Sequence, residues 1–220
     1  MSQRPLNVGY VIRELEKLYD PPQSFLFWKT PLDLVVATIL SAQCTDARVN
    51  TITPSLFRQC RTPADYVALS QKELERVIHS CGTFRVKAKH IRQLCKLLIE
   101  RHNGKVPQTL AELTALPGIG KKTASIILYA AFGLQGGIAV DTHVMRLARR
   151  MGLTRQKNPD KIALELEQQV PRKQWGRLNT LFISHGRTVC TARNRKCAEC
   201  VFQNRCPSSK EQNRKDLAKD

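Results

Sequence analysis

Four of the eight cysteines, Cys190, Cys197, Cys200 and Cys206, fall within seventeen residues and are separated by six, two and five residues. Such clustering brings four thiolates within reach of one another, and thiolates are ligands that both structural zinc and iron–sulfur clusters prefer. Disulfides are disfavoured in a reducing compartment. Zinc ribbons generally use two close cysteine pairs, whereas only Cys197 and Cys200 form one here, so the spacing leans towards iron and leaves zinc open. Ligation at Cys190 and Cys197 would pin the six residues between them, among them Arg193, Arg195 and Lys196. A pinned cation loses less freedom on meeting a phosphate than one on a loose tail, which makes this loop a candidate phosphate contact; a plain metal staple is the alternative. Cys44, Cys60, Cys81 and Cys95 are scattered through apolar or helical stretches and read as small buried hydrophobes.

Residues 113–124 read Leu-Thr-Ala-Leu-Pro-Gly-Ile-Gly-Lys-Lys-Thr-Ala, with helical patterning on both sides. Pro117 to Gly120 makes the turn. Gly118 and Gly120, flanking Ile119, let the backbone approach a ligand closely. Their amides lie where the following helix opens with unsatisfied N–H groups, which suits a phosphate oxygen. A tight connection between two helices is the plainer reading. The apolar frame of Leu113, Leu116, Ile119 and Ala124 nevertheless fits a helix–hairpin–helix DNA-binding unit. Asp141, just before another helical stretch, reads locally as an N-cap.

These groups must be positioned by helices, because apolar residues recur at three-and-four spacing throughout and strand alternation of any length is missing. Residues Phe84–His102 form one long helix in this reading, with Ile91, Leu94, Cys95, Leu97 and Leu98 on its apolar face and Arg85, Lys87, Lys89, Arg92 and Lys96 on a solvated one. Further helices are expected over Val8–Tyr19, Pro31–Ala42, Ala47–Cys60, Pro63–Leu69, Gln71–His79, Thr109–Leu116, Lys121–Phe132, Thr142–Met151, Pro159–Gln169 and Lys173–His185. Ser70 with Glu73 resembles a capping box, and Pro31, Pro63 and Pro159 suit first turns. The fold class is all-α. Breakers at Asp20-Pro21-Pro22 and Gly133-Leu134-Gln135-Gly136-Gly137 bracket a helical domain over 23–134, inserted into a second domain built from 1–22 and 135–220. The polar tail from Ser208 to Asp220 is expected to fray.

Thirty-six Lys and Arg against eighteen Asp and Glu give a net charge of +18. The cations are spread over several segments rather than gathered in one amphipathic helix, which favours a nucleic acid over a membrane surface as the polyanionic partner. No uncharged apolar run approaches the roughly 20 residues of a membrane helix. Met1 to Val8 lacks the pattern of a secretory or transit signal, so cytoplasmic residence is the expectation.

The hairpin, the Val140-Asp141-Thr142-His143 stretch and the cysteine spacing together resemble the endonuclease III family of DNA repair glycosylases, as do Ser41-Ala42-Gln43-Cys44-Thr45-Asp46 and His185-Gly186-Arg187. The likeness runs over nearly the whole chain. It implies two helical domains with a cleft between them, a 4Fe-4S cluster on the four cysteines, and a monomer acting in the nucleoid on double-stranded DNA with damaged bases or abasic sites. It further implies glycosylase and AP lyase activity towards oxidised or ring-opened pyrimidines. Lys122 then takes the place of the nucleophile and Lys121 that of a surface cation. A protonated lysine is a poor nucleophile, so partial burial, neighbouring cations or the helix end must help to neutralise it. Asp141 becomes the second catalytic group and Gln43 the side chain that fills the space of a flipped-out base.

One segment departs from the pattern. Where the family carries an apolar wedge in a Gly-Leu-Tyr-like segment, this chain has Gly82-Thr83-Phe84, and Phe84 and Ile78 are the candidates to compensate for the short, polar Thr83. His143 is given no role. Two other readings remain at this stage: a mismatch-directed glycosylase of the same superfamily, and a non-catalytic, cluster-stabilised protein that binds DNA without cutting it.

Overall fold

The computed structural model describes residues 6–22 and 24–209; the chain beyond residue 209, including most of the polar tail, lies outside them. Among the described residues there are eleven α-helices and no strand. In chain order they are α1 (Val8–Leu18), α2 (Pro31–Ser41), α3 (Asp46–Gln59), α4 (Pro63–Ala68), α5 (Gln71–Val77), α6 (Phe84–His102), α7 (Leu110–Thr114), α8 (Lys121–Phe132), α9 (Thr142–Arg150), α10 (Pro159–Gln169) and α11 (Trp175–Thr188). No helix among them is long and apolar enough to cross a membrane. The chain divides into two compact units, Ser24–Gly136 and the pair of segments Met1–Gln23 and Gly137–Asp220.

In the Ser24–Gly136 unit, α2 is the central rod. Every residue from Leu32 to Leu40 is buried, as expected of a helix that is apolar nearly all round. It packs against α3, α6 and α8, while α4 and α5 pack on α6. Starts are set chemically: Thr30 with Asp33, Thr62 with Asp65 and Ser70 with Glu73 each form a capping box. Pro31 and Pro63 occupy first-turn positions where a missing N–H costs nothing. In the other unit, α11 packs against α1 and α9, and α10 packs on α1. A buried Asn179 side chain donates to the Ala139 carbonyl at 2.7 Å and ties α11 to the segment leading into α9.

Two expectations need correction. The last long helix begins with a separate 3-10 turn, Arg172–Gln174, and continues to Thr188 rather than stopping at His185. Pro171 precedes that turn and cannot supply an N–H to it. The second concerns the cationic stripe on α6: Arg85, Lys89 and Lys96 are exposed, but Arg92 is half-buried and Lys87 is only 3% exposed. Lys87 Nζ donates to the Leu40 carbonyl at 2.8 Å, near the C-terminal end of α2, where a cation meets the negative end of the helix. Burial lowers its pKa. Position 87 shares the track of Ile91, Leu94 and Leu98, so its spacing already marked the buried face.

Replacing Lys87 by Met keeps the apolar stem and leaves the buried Leu40 carbonyl without its donor. An unsatisfied buried acceptor costs about 1–3 kcal/mol. Thermal unfolding of Lys87→Met is therefore expected to fall by roughly 3–10 °C, and an unchanged melting temperature would show that the buried ammonium carries no weight.

Candidate active site and thiol-lined loop

The hairpin depends on one position that excludes any side chain. Gly118 has φ of 81°, and a Cβ there would stand 3.1 Å from His90 Nδ1 and 3.2 Å from His90 Cβ on α6. Left-handed backbone and close approach both demand glycine. Leu113, Leu116 and Ile119 are buried beneath the turn. The Ile119 amide donates to the Leu116 carbonyl at 3.2 Å, so Ile119 anchors the hairpin and its N–H is already engaged. Gly120 differs from Gly118, since a Cβ there would meet nothing within 4 Å. It is the N-cap residue of α8 and provides no side-chain cap, which leaves the opening amides of the helix without a side-chain acceptor. Lys121 and Lys122 follow in the first turn, both exposed. Lys122 is thus not buried in the free protein, and it stands at the opening of α8.

Gln43 and Thr83 are exposed, and both hold left-handed backbones, with φ of 53° and 55°. Non-glycine residues adopt this region uncommonly and at a cost. The two loops meet, because a Cβ on Gly82 would lie 3.7 Å from the Gln43 carbonyl oxygen. The Thr83 hydroxyl turns back to donate to the Gly82 carbonyl at 2.7 Å. Of the two residues considered as substitutes for a wedge, Ile78 is fully buried and drops out. Phe84 is half-buried, with its ring 4.6 Å from that of His79 and the Arg85 guanidinium 4.9 Å over it. α6 carries Thr83 just before its start and His90 about two turns on, so it brings the Gln43 loop, Thr83 and the hairpin together in one unit.

Asp141 belongs to the other unit. Its Oδ1 accepts the His143 and Val144 amides at 2.9 and 2.7 Å, which caps α9 as the local sequence suggested. Oδ2 has no hydrogen bond among the described residues. His143 Nδ1 lies 3.0 Å from Arg146 Nη2, and that guanidinium donates to the Gly186 carbonyl at 2.8 Å and the Cys190 carbonyl at 3.1 Å. Burial lowers the His143 pKa, against the raising influence of Asp141. His143 thus joins α9 to α11. This join requires Gly186, since a Cβ there would stand 2.7 Å from His143 Nδ1 and 2.8 Å from Arg146 Nη2.

Cys190, Cys197, Cys200 and Cys206 line one cavity with Arg150, His185, Arg195 and Lys196, and no carboxylate takes part. Among the described residues no three His, Cys, Asp or Glu side chains gather closely enough to hold a single metal ion. Arg150 Nη1 lies 3.5 Å from Cys190 Sγ and donates to the Thr191 carbonyl at 2.7 Å. His185 Nε2 stands 3.5 Å from Cys200 Sγ, and its Nδ1 is 3.1 Å from the Tyr19 hydroxyl. Burial pushes the Cys200 thiol up to about 11, raises that of Cys206 and lowers His185 to about 4. Four soft donors ringed by cations and N–H groups suit a thiolate-bound metal centre, whose positive charge would displace the thiol protons. Of the three loop cations, Arg195 is half-buried and donates to the Ser208 carbonyl at 2.7 Å, and Lys196 pairs with Glu199 at 3.5 Å. Arg193 is exposed.

A helical hairpin with an uncapped, lysine-bearing helix start suits a DNA-backbone phosphate, and comparison with known proteins gives the class as DNA repair. Residues 36–172 match the model for the HhH-GPD superfamily base excision DNA repair protein. The chain is 42% identical to endonuclease III of Synechocystis sp. over 95% of both chains. Two solved structures align with TM-scores of 0.88, each over 94% of this chain and 97% of theirs. One is a non-covalent endonuclease III–DNA complex, 39% identical, and the other a trapped endonuclease III–DNA covalent intermediate, 38% identical. The chain belongs to the endonuclease III family.

The α9–α11 join makes a prediction of its own. In Gly186→Ala the added methyl must push the His143 ring and the Arg146 guanidinium apart, an overpacking cost of about 1–3 kcal/mol. Calorimetry should show melting lowered by roughly 3–10 °C, and wild-type stability would mean the two helices separate freely.

Proposed function

We propose that the chain is a bifunctional base-excision repair enzyme, a DNA glycosylase and AP lyase, that removes oxidised or ring-opened pyrimidines and nicks the strand through a Schiff base on Lys122. The observation that carries this reading is Lys122 itself: an exposed amine in the first turn of a helix whose opening amides lack a side-chain cap, directly after a glycine turn. A covalent intermediate, such as the one trapped for a 38% identical relative, needs a nucleophile, and a lysine at a helix N-terminus can serve. Its neutral amine attacks C1′ of the damaged nucleotide and the base leaves. Loss of the C2′ proton from the resulting Schiff base expels the 3′ phosphate by β-elimination, and water then releases the enzyme.

Asp141 divides its work between two oxygens. Oδ1 is committed to the α9 cap, and Oδ2 is left to stabilise positive charge on the sugar and to move protons. The hairpin, Gly118 to Gly120 with Ile119 as anchor and Lys121 beside it, holds a backbone phosphate. Gln43 occupies the space of the extruded base. Thr83, short and with its hydroxyl turned inward, wedges the duplex weakly.

The two chain segments are read as a hairpin-bearing domain, 23–134, inserted into a cluster-bearing one, 1–22 and 135–220. Cys190, Cys197, Cys200 and Cys206 hold a 4Fe-4S cluster; a lone zinc needs all four sulfurs about 2.3 Å from one point, whereas these thiols surround a cavity. In that loop Arg193 is the cation best placed to meet phosphate, while Arg195 and Lys196 also brace the loop. The enzyme acts as a monomer in the nucleoid.

Borohydride trapping on duplexes carrying thymine glycol, an abasic site or an adenine mismatch tests the reading. Lys122→Ala is expected to lose the trapped adduct and all cleavage, and Lys121→Ala to keep both. Asp141→Asn is a clean probe because asparagine caps a helix as well as aspartate; turnover should fall about 100-fold or more with DNA affinity kept. Robust adduct formation by Lys122→Ala would overturn the assignment.

Two further measurements address the loop. The purified protein should contain iron and inorganic sulfide in equal amounts, and zinc in their place would refute the cluster. Arg193→Ala should reduce the salt dependence of DNA binding by about one phosphate's worth, a slope change of roughly 0.9.

A further inference from the structure

The Ser24–Gly136 unit contains a pocket that the proposed DNA chemistry does not use. It has a volume of about 590 Å3 and lies between the segment leading into α2 and the second half of α3. This volume falls within the range of ordinary ligand sites. Phe27, Trp28 and Phe57 form its apolar wall, and Lys29, Arg58 and Arg61 stand around it. Phe27 is 64% exposed, the highest value among the large apolar side chains exposed in the described residues. Its backbone is nonetheless fixed, with the amide donating to Asn50 Oδ1 at 2.8 Å while Asn50 Nδ2 donates to the Phe25 carbonyl at 3.0 Å. An aromatic ring held out to water on a pinned backbone is a rigid contact surface.

Polar groups narrow the choice of occupant. Lys29, Arg58 and Arg61 are exposed and make no ion pair among the described residues. The carboxylate in the lining, Asp33, is turned to the Lys29 and Thr30 amides at 3.1 and 2.9 Å and so does not neutralise them. Thr53 also lines the pocket, and its buried hydroxyl has no hydrogen-bond partner, an arrangement that buried polar groups seldom tolerate. The site therefore offers an aromatic wall, three exposed cations, of which Arg61 also feels the Asp65 carboxylate, and one unused hydroxyl. A nucleobase would bring several polar edge atoms into this wall with a single hydroxyl to meet them. An aromatic side chain brings none, and a neighbouring peptide group can use the hydroxyl while carboxylates meet the cations. Location separates the pocket from the DNA-handling end as well: it opens at the start of α2, and Gln43 lies past the far end of that helix, about 16 Å away.

We propose that this pocket docks a short acidic peptide segment of a partner protein, with an aromatic side chain against Phe27, Trp28 and Phe57 and its carboxylates on Lys29, Arg58 and Arg61. Electrostatic steering by the cations gives rapid encounter, and the aromatic anchor supplies most of the affinity.

Fluorescence anisotropy with the full chain tests this, using a fluorescein-labelled peptide Asp-Asp-Glu-Asp-Leu-Phe at physiological ionic strength. Saturable binding is expected, weakened about 10-fold or more by ending the peptide in Ala, by Phe27→Ala, or by Arg58→Glu. Lys96→Glu, an equal loss of positive charge on an exposed face of α6, should leave affinity unchanged. All the altered side chains are at least partly exposed, and melting curves check that the variants fold. Equal weakening by Lys96→Glu would reduce the effect to the net charge of +18 and overturn the proposal. Absence of saturable binding would do the same, as would indifference to the terminal aromatic. Displacement by thymidine monophosphate at or below the peptide concentration would reassign the pocket to nucleotides, and displacement by undamaged duplex would place the peptide on the DNA face.

Discussion

The contact between Gly118 and His90 fixes where the hairpin stands, and the arrangement of the exposed loops of the Ser24–Gly136 unit follows from it. A methyl group at position 118 would meet the imidazole at 3.1 Å and would also have to accept a left-handed backbone. The turn can therefore press against α6, with Ile119 sunk into the core and the opening of α8 held at its mouth. Because α6 carries His90 and also begins at Thr83, one helix sets both the hairpin and the Gly82–Thr83 loop. That loop in turn touches the carbonyl of Gln43. α6 further holds the end of α2 through Lys87 and Leu40. Three separate stretches of sequence are thus referenced to a single helix, which holds groups far apart in the chain in one fixed arrangement.

The positive φ values at Gln43 and Thr83 carry a related lesson. Each costs free energy in the free protein, and each belongs to the short segments that the family resemblance had singled out. Neither residue is held by burial, since both are exposed. The strain is tolerated because α2 and α6 are anchored on either side, and it keeps two polar residues exposed on adjacent loops.

Helix starts and lengths were legible in the sequence wherever local chemistry decides them. Ser70 and Asp141 cap as their types suggest, Pro31, Pro63 and Pro159 stand in first turns, and α6, α8 and α10 span the residues that periodicity indicates. What escaped is decided by neighbours distant in sequence. The type of residue 87 said surface and its register said core; register prevailed because the Leu40 carbonyl at a helix end could accept an ammonium. The loop cations Arg195 and Lys196 look alike in sequence, but Ser208 and Glu199 engage them differently. The aromatic pocket at Phe27 had no signal at all, since its walls come from a connecting segment and a helix that no motif or spacing joins.

The eighteen acidic residues are half as many as the basic ones, and the way several of them are used deepens the imbalance. Asp33, Asp65, Glu73 and Asp141 each accept backbone amides at helix starts. Hydrogen bonds from the Thr62 and Arg61 backbones hold the Asp65 carboxyl below its usual range, and those from Ser70 do the same for Glu73. Glu165 is taken up by Thr154 and Gln156. A carboxylate directed at a backbone amide orders the fold but is poorly placed to neutralise a surface lysine. The same residues that start the helices therefore leave exposed cations such as Lys121, Lys122 and Arg193 without a carboxylate partner among the described residues, so the chain meets a polyanion with charge that its own folding has not consumed.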